Sequence, residues 1–172
     1  MYVNDGSVRL VSRYGHYYTR FDALAPLARE IGYILQGQEA ILDGELVCLD
    51  DEGKSQFYDL LRNRATPCLA VFDLLSLDGN DFRQLSLMER KAALRELLPV
   101  EPGALLYVDH FERRGIALYN EVCRLDLEGI VAKYKHPPYG MEGKHSSWVK
   151  IRNPTYSQMA GAASTARKQS AL

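Results

Sequence analysis

Ala40-Ile41-Leu42-Asp43-Gly44-Glu45-Leu46-Val47-Cys48-Leu49 is the stretch on which the fold turns. Its length and its Ile, Leu and Val content predict a strand, closed by the turn Asp50-Asp51-Glu52-Gly53. Two acids flank a glycine in the middle of this apolar run. Strand alternation predicts that Asp43 and Glu45 share a face. Carboxylates so placed repel unless a cation, a hydroxyl donor or solvent compensates. A Mg²⁺ or ribose contact is one use of such a pair, and an exposed strand face is another.

Outward from it, residues 68–76 form a second apolar run, a buried strand ended by the turn Asp78-Gly79. The chain opens as a hairpin, with Asn4-Asp5-Gly6 between Tyr2-Val3 and the alternating residues 8–12. Leu24, Leu27, Ala28, Ile31 and Leu35 recur at helical spacing and predict a helix over 22–36, with Pro26 in its first turn. A short helix is expected over 58–64. Ser86-Leu87-Met88-Glu89 is a capping box that opens a helix to about residue 98, stopped by Pro99. Residues 105–111 read as a strand. Residues 115–127 read as a helix with Ile116, Tyr119, Val122, Cys123 and Leu125 as core contacts. Strands over 129–133 and 147–152 follow, separated by a loop over 134–146 with Pro137-Pro138, Gly140 and Gly143. The sum is an α+β fold of mostly antiparallel sheets with flanking helices. Residues 1–158 are expected to form one domain, and 159–172, small and polar, a flexible tail.

Composition sets the outer limits. The 172 residues are 47% hydrophobic and 25% charged, ordinary values for a globular chain. No apolar run approaches the roughly 20 residues of a membrane-spanning helix, and no signal peptide is visible at the first residues. Cys48, Cys68 and Cys123 are widely spaced and form no CxxC pair, so they read as reduced, mostly buried thiols of a cytoplasmic protein. The net charge of −1 hides an asymmetry. From Gly129 to the end there are seven basic residues and one acidic, +6, against −7 for the rest. A basic end suggests a polyanionic partner, a nucleotide or nucleic acid, or else a solvated basic surface.

Four segments can carry chemistry. Ser12-Arg13-Tyr14-Gly15 sets a guanidinium beside a glycine turn, able to reach a phosphate or carboxylate. Asp43-Gly44-Glu45 is the second. In Ala70-Val71-Phe72-Asp73-Leu74-Leu75, Phe72 is either a core residue or an aromatic that stacks on a purine. The last is a pair, Glu128-Gly129-Ile130-Val131-Ala132-Lys133 and Trp148-Val149-Lys150-Ile151-Arg152. Alternation sets Lys150 and Arg152 on one face. Cations converging from adjacent strands neutralise a triphosphate or the charge of phosphoryl transfer.

In that order and spacing, SRxG, LDGE, VFDLL, EGIVAK and WVKIR resemble the nucleotidyltransferase (adenylation) domain of ATP-dependent DNA ligases, especially the bacterial ligases of end joining and their solitary relatives. The resemblance runs from about residue 8 to 158, and Lys150-Ile151-Arg152-Asn153-Pro154 strengthens it. It implies an ATP-grasp-like domain, ATP and Mg²⁺ or Mn²⁺ as cofactors, and nicked or broken double-stranded DNA as partner. It also implies a monomer at the bacterial nucleoid in DNA repair and recombination. By the same resemblance Arg13 contacts the ribose or a DNA phosphate, and Glu45 the metal or ribose. Phe72 stacks on adenine, Glu128 helps hold a metal ion, and Lys133 and Lys150 contact the α-phosphate. Arg152 stands where the family more often has a second lysine; it keeps the charge with a different geometry.

The family's chemistry begins with the lysine of a Lys-x-Asp-Gly motif, whose amine attacks the α-phosphorus of ATP. Asp-Gly occurs at Asp5, Asp43 and Asp78, but Val3, Ile41 and Ser76 stand where the lysine is required. The expectation is therefore a chain that begins just after the nucleophile's strand, holds no catalytic lysine, lacks the family's C-terminal OB-fold domain, and binds DNA weakly and salt-sensitively. The competing readings are a ligase that starts upstream, a non-catalytic module that binds ATP or DNA, and a gene remnant.

Overall fold

The structure, a computed structural model, describes residues 1–17, 24–62, 64–101, 103–140 and 147–157. The chain divides into two compact units. One is Met1–Asp109 with Tyr134–Ser147, the other His110–Lys133 with the residues from Trp148 onward.

The first unit is a six-stranded sheet with three helices. Its strands are β1 (Tyr2–Asn4), β2 (Ser7–Arg9), β3 (Glu39–Val47), β4 (Cys68–Leu77), β5 (Asn80–Asp81) and β6 (Leu105–Tyr107). They lie in the order β2-β1-β3-β4-β5, with β6 also on β4; every pair is antiparallel except β4–β6. The helices are α1 (Leu24–Ile34), α2 (Phe57–Leu61) and α3 (Leu87–Leu97). Leu27, Ile31 and Leu35 from the α1 region, Leu94 and Leu98 from α3, and Val3, Ala40, Leu42, Val71, Leu74 and Leu105 from the sheet form one core. Burying each such Leu, Ile or Val contributes about 1.5–3 kcal/mol. Ser86 caps α3 as the sequence predicts: its Oγ accepts from the Glu89 N–H, while the Glu89 carboxylate accepts from the Ser86 N–H at 2.9 Å.

The central pair β3–β4 departs from simple alternation. Ile41 faces Ser76 and Leu42 faces Leu74, so Leu75 is an extra residue. Asp43 faces Asp73 and Gly44 faces Val71, so Phe72 is a second. Each is a β-bulge, which bends the strand and locally breaks its ladder. Gly44 is required here, because a Cβ on it would stand 2.6 Å from the Ala70 carbonyl oxygen.

The second unit is smaller. Helix α4 (Gly115–Arg124) accompanies a two-stranded antiparallel ribbon of β7 (Gly129–Lys133) and β8 (Trp148–Arg152). Gly129 lies at φ 149° with its α-carbon against the Ile151 carbonyl of β8. A side chain there would clash with that carbonyl, so the strand pairing itself calls for glycine.

Three sequence expectations are corrected. The strand expected over 105–111 pairs only over 105–107, because its partner β4 runs into the Phe72 bulge just past Val71; Phe111 is exposed. The helix expected over 115–127 ends at Arg124, where Asp126 takes a positive φ and the Asp126 and Leu127 N–H groups bond back to the Cys123 and Val122 carbonyls. Of its expected core residues only Val122 is buried, and Ile116 is 83% exposed. The helix expected over 58–64 is confined to Phe57–Leu61. Asp22, residues 141–146 with Gly143 and Lys144, and the expected tail lie outside the described residues. Cys48 is buried and Cys68 and Cys123 half-buried; burial pushes the thiols of Cys48 and Cys68 up. Among the described residues no helix is long and apolar enough to cross a membrane.

Candidate functional site

In the first unit the candidate residues stand on three separate pieces of backbone. Ser12 to His16 form a tight turn: the Ser12 Oγ accepts from the N–H groups of Tyr14 and His16, and the Ser12 carbonyl accepts from Gly15 N–H at 2.9 Å. Arg13 is exposed in that turn, its guanidinium 5.3 Å from the Tyr14 ring centroid. Glu45 is an exposed residue of β3 opposite Ala70. Phe72 is half-buried at the bulge that also interrupts the ladder between Asp43 and Gly44. Bulges re-aim side chains, and this one takes Phe72 out of the regular pairing. Among the described residues no hydrogen bond or ion pair holds the Glu45 carboxylate, which leaves it open to a ligand.

Asp43, its partner in the motif, is already engaged. Its Oδ2 accepts from the Tyr139 hydroxyl at 2.7 Å. The hydroxyl donor that two carboxylates on one face call for is thus a tyrosine 96 residues away in sequence. Asp73, directly opposite, is fully buried and held by Arg90 of α3: Nε and Nη2 donate to its two oxygens at 2.7 and 2.9 Å. Arg90 is 1% exposed and its third nitrogen donates to the Leu85 carbonyl. Next to it, the Lys91 ammonium donates to the Val108 carbonyl at 2.7 Å and lies 4.5 Å from the Tyr107 ring centroid. Burial lowers its pKa, against the pull of Asp109 and Asp73.

In the second unit the register does what the sequence predicts. Lys133 faces Trp148, Val131 faces Lys150 and Gly129 faces Arg152, so Lys133, Lys150 and Arg152 share one face of the ribbon. The Lys133 ammonium lies 3.7 Å from the Trp148 ring centroid, a cation–π contact that holds it in place. Lys150 pairs with Glu128 at 2.7 Å, both half-exposed. Behind this face, Asn153 is 1% exposed and ties the unit together. Its Nδ2 donates to the Leu127 carbonyl at 3.0 Å, its Oδ1 accepts from Thr155 N–H and Oγ1, and its own N–H donates to the Glu128 carbonyl at 2.8 Å. The Tyr119 hydroxyl donates to the Arg152 carbonyl at 3.0 Å. The structure therefore gathers the three cations and Glu128 in one unit, and Glu45, Phe72 and Arg13 in the other.

Arg90, Tyr139 and Asn153 escaped the sequence reading. Arg90 had a signal: it falls between Leu87 and Leu94 on the buried stripe of α3. Tyr139 had none, since its partner lies on a distant strand. Asn153 reads as a turn residue before Pro154, and its side chain's reach to Leu127 depends on the tertiary structure.

Comparison with known proteins supplies the rest. Residues 1–152 match the family described as the ATP dependent DNA ligase domain. The multifunctional non-homologous end joining protein LigD of Pseudomonas aeruginosa is 34% identical over 162 residues, covering 87% of this chain and 18% of that protein. The bifunctional LigD of Bacillus subtilis is 34% identical over 139 residues, 65% of this chain and 22% of that protein. The chain thus spans about a fifth of the length of these relatives. Among solved structures, a mycobacterial DNA ligase D complexed with ATP superposes with a TM-score of 0.73 at 28% identity, over 88% of this chain and 49% of that one.

Proposed function

Because the chain belongs to the ATP-dependent DNA ligase domain family, we propose that it binds ATP and takes part in sealing nicked or broken double-stranded DNA during bacterial DNA repair. The observation that carries this reading is the shared face of Lys133, Lys150 and Arg152 on β7 and β8. Three cations on so short a ribbon suit a triphosphate, whose charge they neutralise. For the first unit, the family resemblance assigns Phe72 to stacking on adenine and Glu45 and Arg13 to the ribose or a phosphate.

A divalent metal fits the same reading. Among the described residues no group of three or more His, Cys, Asp or Glu side chains gathers to cage an ion. Mg²⁺ does not need one, since it keeps several waters and takes phosphate oxygens with one or two carboxylates. Glu45 is such a carboxylate in the first unit and Glu128 in the second, and an ion held by either would neutralise phosphate charge.

The 172 residues contain no Lys-x-Asp-Gly, so on this reading the chain holds ATP without becoming covalently adenylated. The grip of these 172 residues on DNA is weak and falls steeply with salt. It works as a monomer in the cytoplasm, at the nucleoid. The test is an equilibrium titration with ATP labelled at the α-phosphate. Saturable binding is expected, lost on denaturation and weakened at least tenfold by Lys150→Ala. Absence of binding overturns the reading, and label that survives denaturation overturns the non-covalent part of it.

A further inference from the structure

The Asp43-Gly44 step of β3 sits at a break in the β4 ladder and beyond the pairing with β1. On one edge, the bulge at Phe72 interrupts the β4 ladder between Asp43 and Gly44. On the other edge, pairing with β1 covers Glu39 to Ile41, and the last bonds are those between Leu42 and Met1. Asp43 also stands directly opposite Asp73, and like charges at facing positions of an antiparallel pair repel. Arg90 neutralises Asp73, taking both its oxygens. The described bond to Asp43 from outside the sheet is the hydroxyl of Tyr139.

Tyr139 is well placed to act as a fixed post. Its ring lies 5.6 Å from the Arg90 guanidinium carbon, so it spans from that cation to the Asp43 carboxylate. Its own N–H donates to the Arg83 carbonyl at 2.8 Å, and the Leu87 N–H donates to the Lys135 carbonyl at 2.9 Å. Two backbone bonds thus pin its loop to the start of α3. The phenol is pushed far up by burial and by its bond to Asp43, so it remains a donor throughout the working pH range.

The geometry points to Tyr139 as a positioning residue: through its bond to Asp43 it fixes the Asp43-Gly44-Glu45 segment so that the Glu45 carboxylate, two residues on, is set for the nucleotide. The inference rests on the ATP-binding reading above. It assigns Tyr139, in the described stretch after β7, a part in setting the Glu45 carboxylate of the first unit.

The experiment is a double-mutant cycle on the whole chain, with ATP affinity in Mg²⁺ as the readout. Tyr139→Phe keeps the ring over Arg90 and removes the donor. It is expected to weaken ATP binding about tenfold, the scale of one hydrogen bond to a charged group. Glu45→Gln weakens binding by its own factor, and the double variant is expected to be no weaker than Glu45→Gln alone. A merely structural role gives independent losses that multiply, and that result overturns the inference, as does a Tyr139→Phe protein that binds like the native chain. Asp43→Ala attacks the same bond from the acceptor side and is expected to reproduce the Tyr139→Phe loss; native affinity in that variant also overturns it. Failure of the native chain to bind ATP brings down the functional reading itself and this inference with it. Native binding with unaffected variants brings down this inference alone.

Discussion

The first unit is held by apolar burial around an ion pair; the second is held by hydrogen bonds around an amide. In the first, side chains from α1, α3 and the sheet close a continuous core, and Arg90 with Asp73 is set inside it. In the second, Val122 is the buried apolar residue among those described, and Asn153 gathers Leu127, Thr155 and Glu128 by its backbone and side chain. A two-stranded ribbon is marginal without further packing. The difference teaches that the unit bearing the phosphate-type cations keeps its stability in polar contacts, so substitutions there trade function against folding more closely than in the first unit.

The largest expected effect tests the core of the first unit. Arg90→Leu leaves the Asp73 carboxylate buried without its cation and should cost about 3–5 kcal/mol. Replacing both partners, Arg90→Met with Asp73→Leu, should cost less, because no unpaired charge remains. Urea unfolding followed by far-UV circular dichroism reports it, since most of the helices and strands lie in this unit. A loss below 1 kcal/mol for Arg90→Leu breaks the contrast from that side.

Next comes Asn153→Ala, which strands the Leu127 carbonyl and the Thr155 donors. It should destabilise by about 1–3 kcal/mol. The chain has one tryptophan, Trp148, and it lies in the second unit. Its fluorescence should therefore shift to lower urea while the circular-dichroism transition moves less. Coincident shifts by both probes would show that the two units unfold together and that the contrast has no energetic content.

Much of the first unit was legible because its pattern is local. The hairpin, the apolar face of α1 and the Ser86 capping box follow from spacing alone, and the structure has all three. The cation face of β7 and β8 was equally legible: period-two alternation and an in-register pair put Lys133, Lys150 and Arg152 together. Two things hid the rest. The bulges at Phe72 and Leu75 add residues that no alternation rule foresees, so the sequence could name Phe72 but not its release from the ladder. Arg90 with Asp73, and Tyr139 with Asp43, are pairs 17 and 96 residues apart, fixed by tertiary packing.

A smaller effect separates function from stability in the second unit. Lys150 and Glu128 are each 51% exposed, so their ion pair is worth at most about 1 kcal/mol. Glu128→Gln should leave the Trp148 unfolding transition within that range. It should also free the Lys150 ammonium, so ATP affinity in the absence of Mg²⁺ rises by up to about fivefold, the equivalent of that 1 kcal/mol. Lower affinity without the metal would mean that Glu128 orders Lys150 rather than competes for it.

The smallest effect lies on the exposed rim of the first unit. Arg83 donates to Asp81 through Nε and Nη2, and these bonds, with the Arg83 N–H, hold the Asp81 carboxyl down from the ordinary 3.8 to about 2. A carboxylate whose pKa is depressed by folding stabilises the folded state above its unfolded value. That contribution is present above about pH 4 and is lost as pH falls through about 2. Both side chains are half-exposed or more, so water and salt screen the pair and its effect on unfolding is slight. A carboxyl-carbon NMR titration from pH 5 downward should place the Asp81 midpoint well below 3.8, and Arg83→Gln should return it toward that value. If Arg83→Gln instead moved the unfolding midpoint as far as Arg90→Leu does, surface pairing would rival the buried pair in this unit, and the weight assigned to its core would have to be moved to its rim.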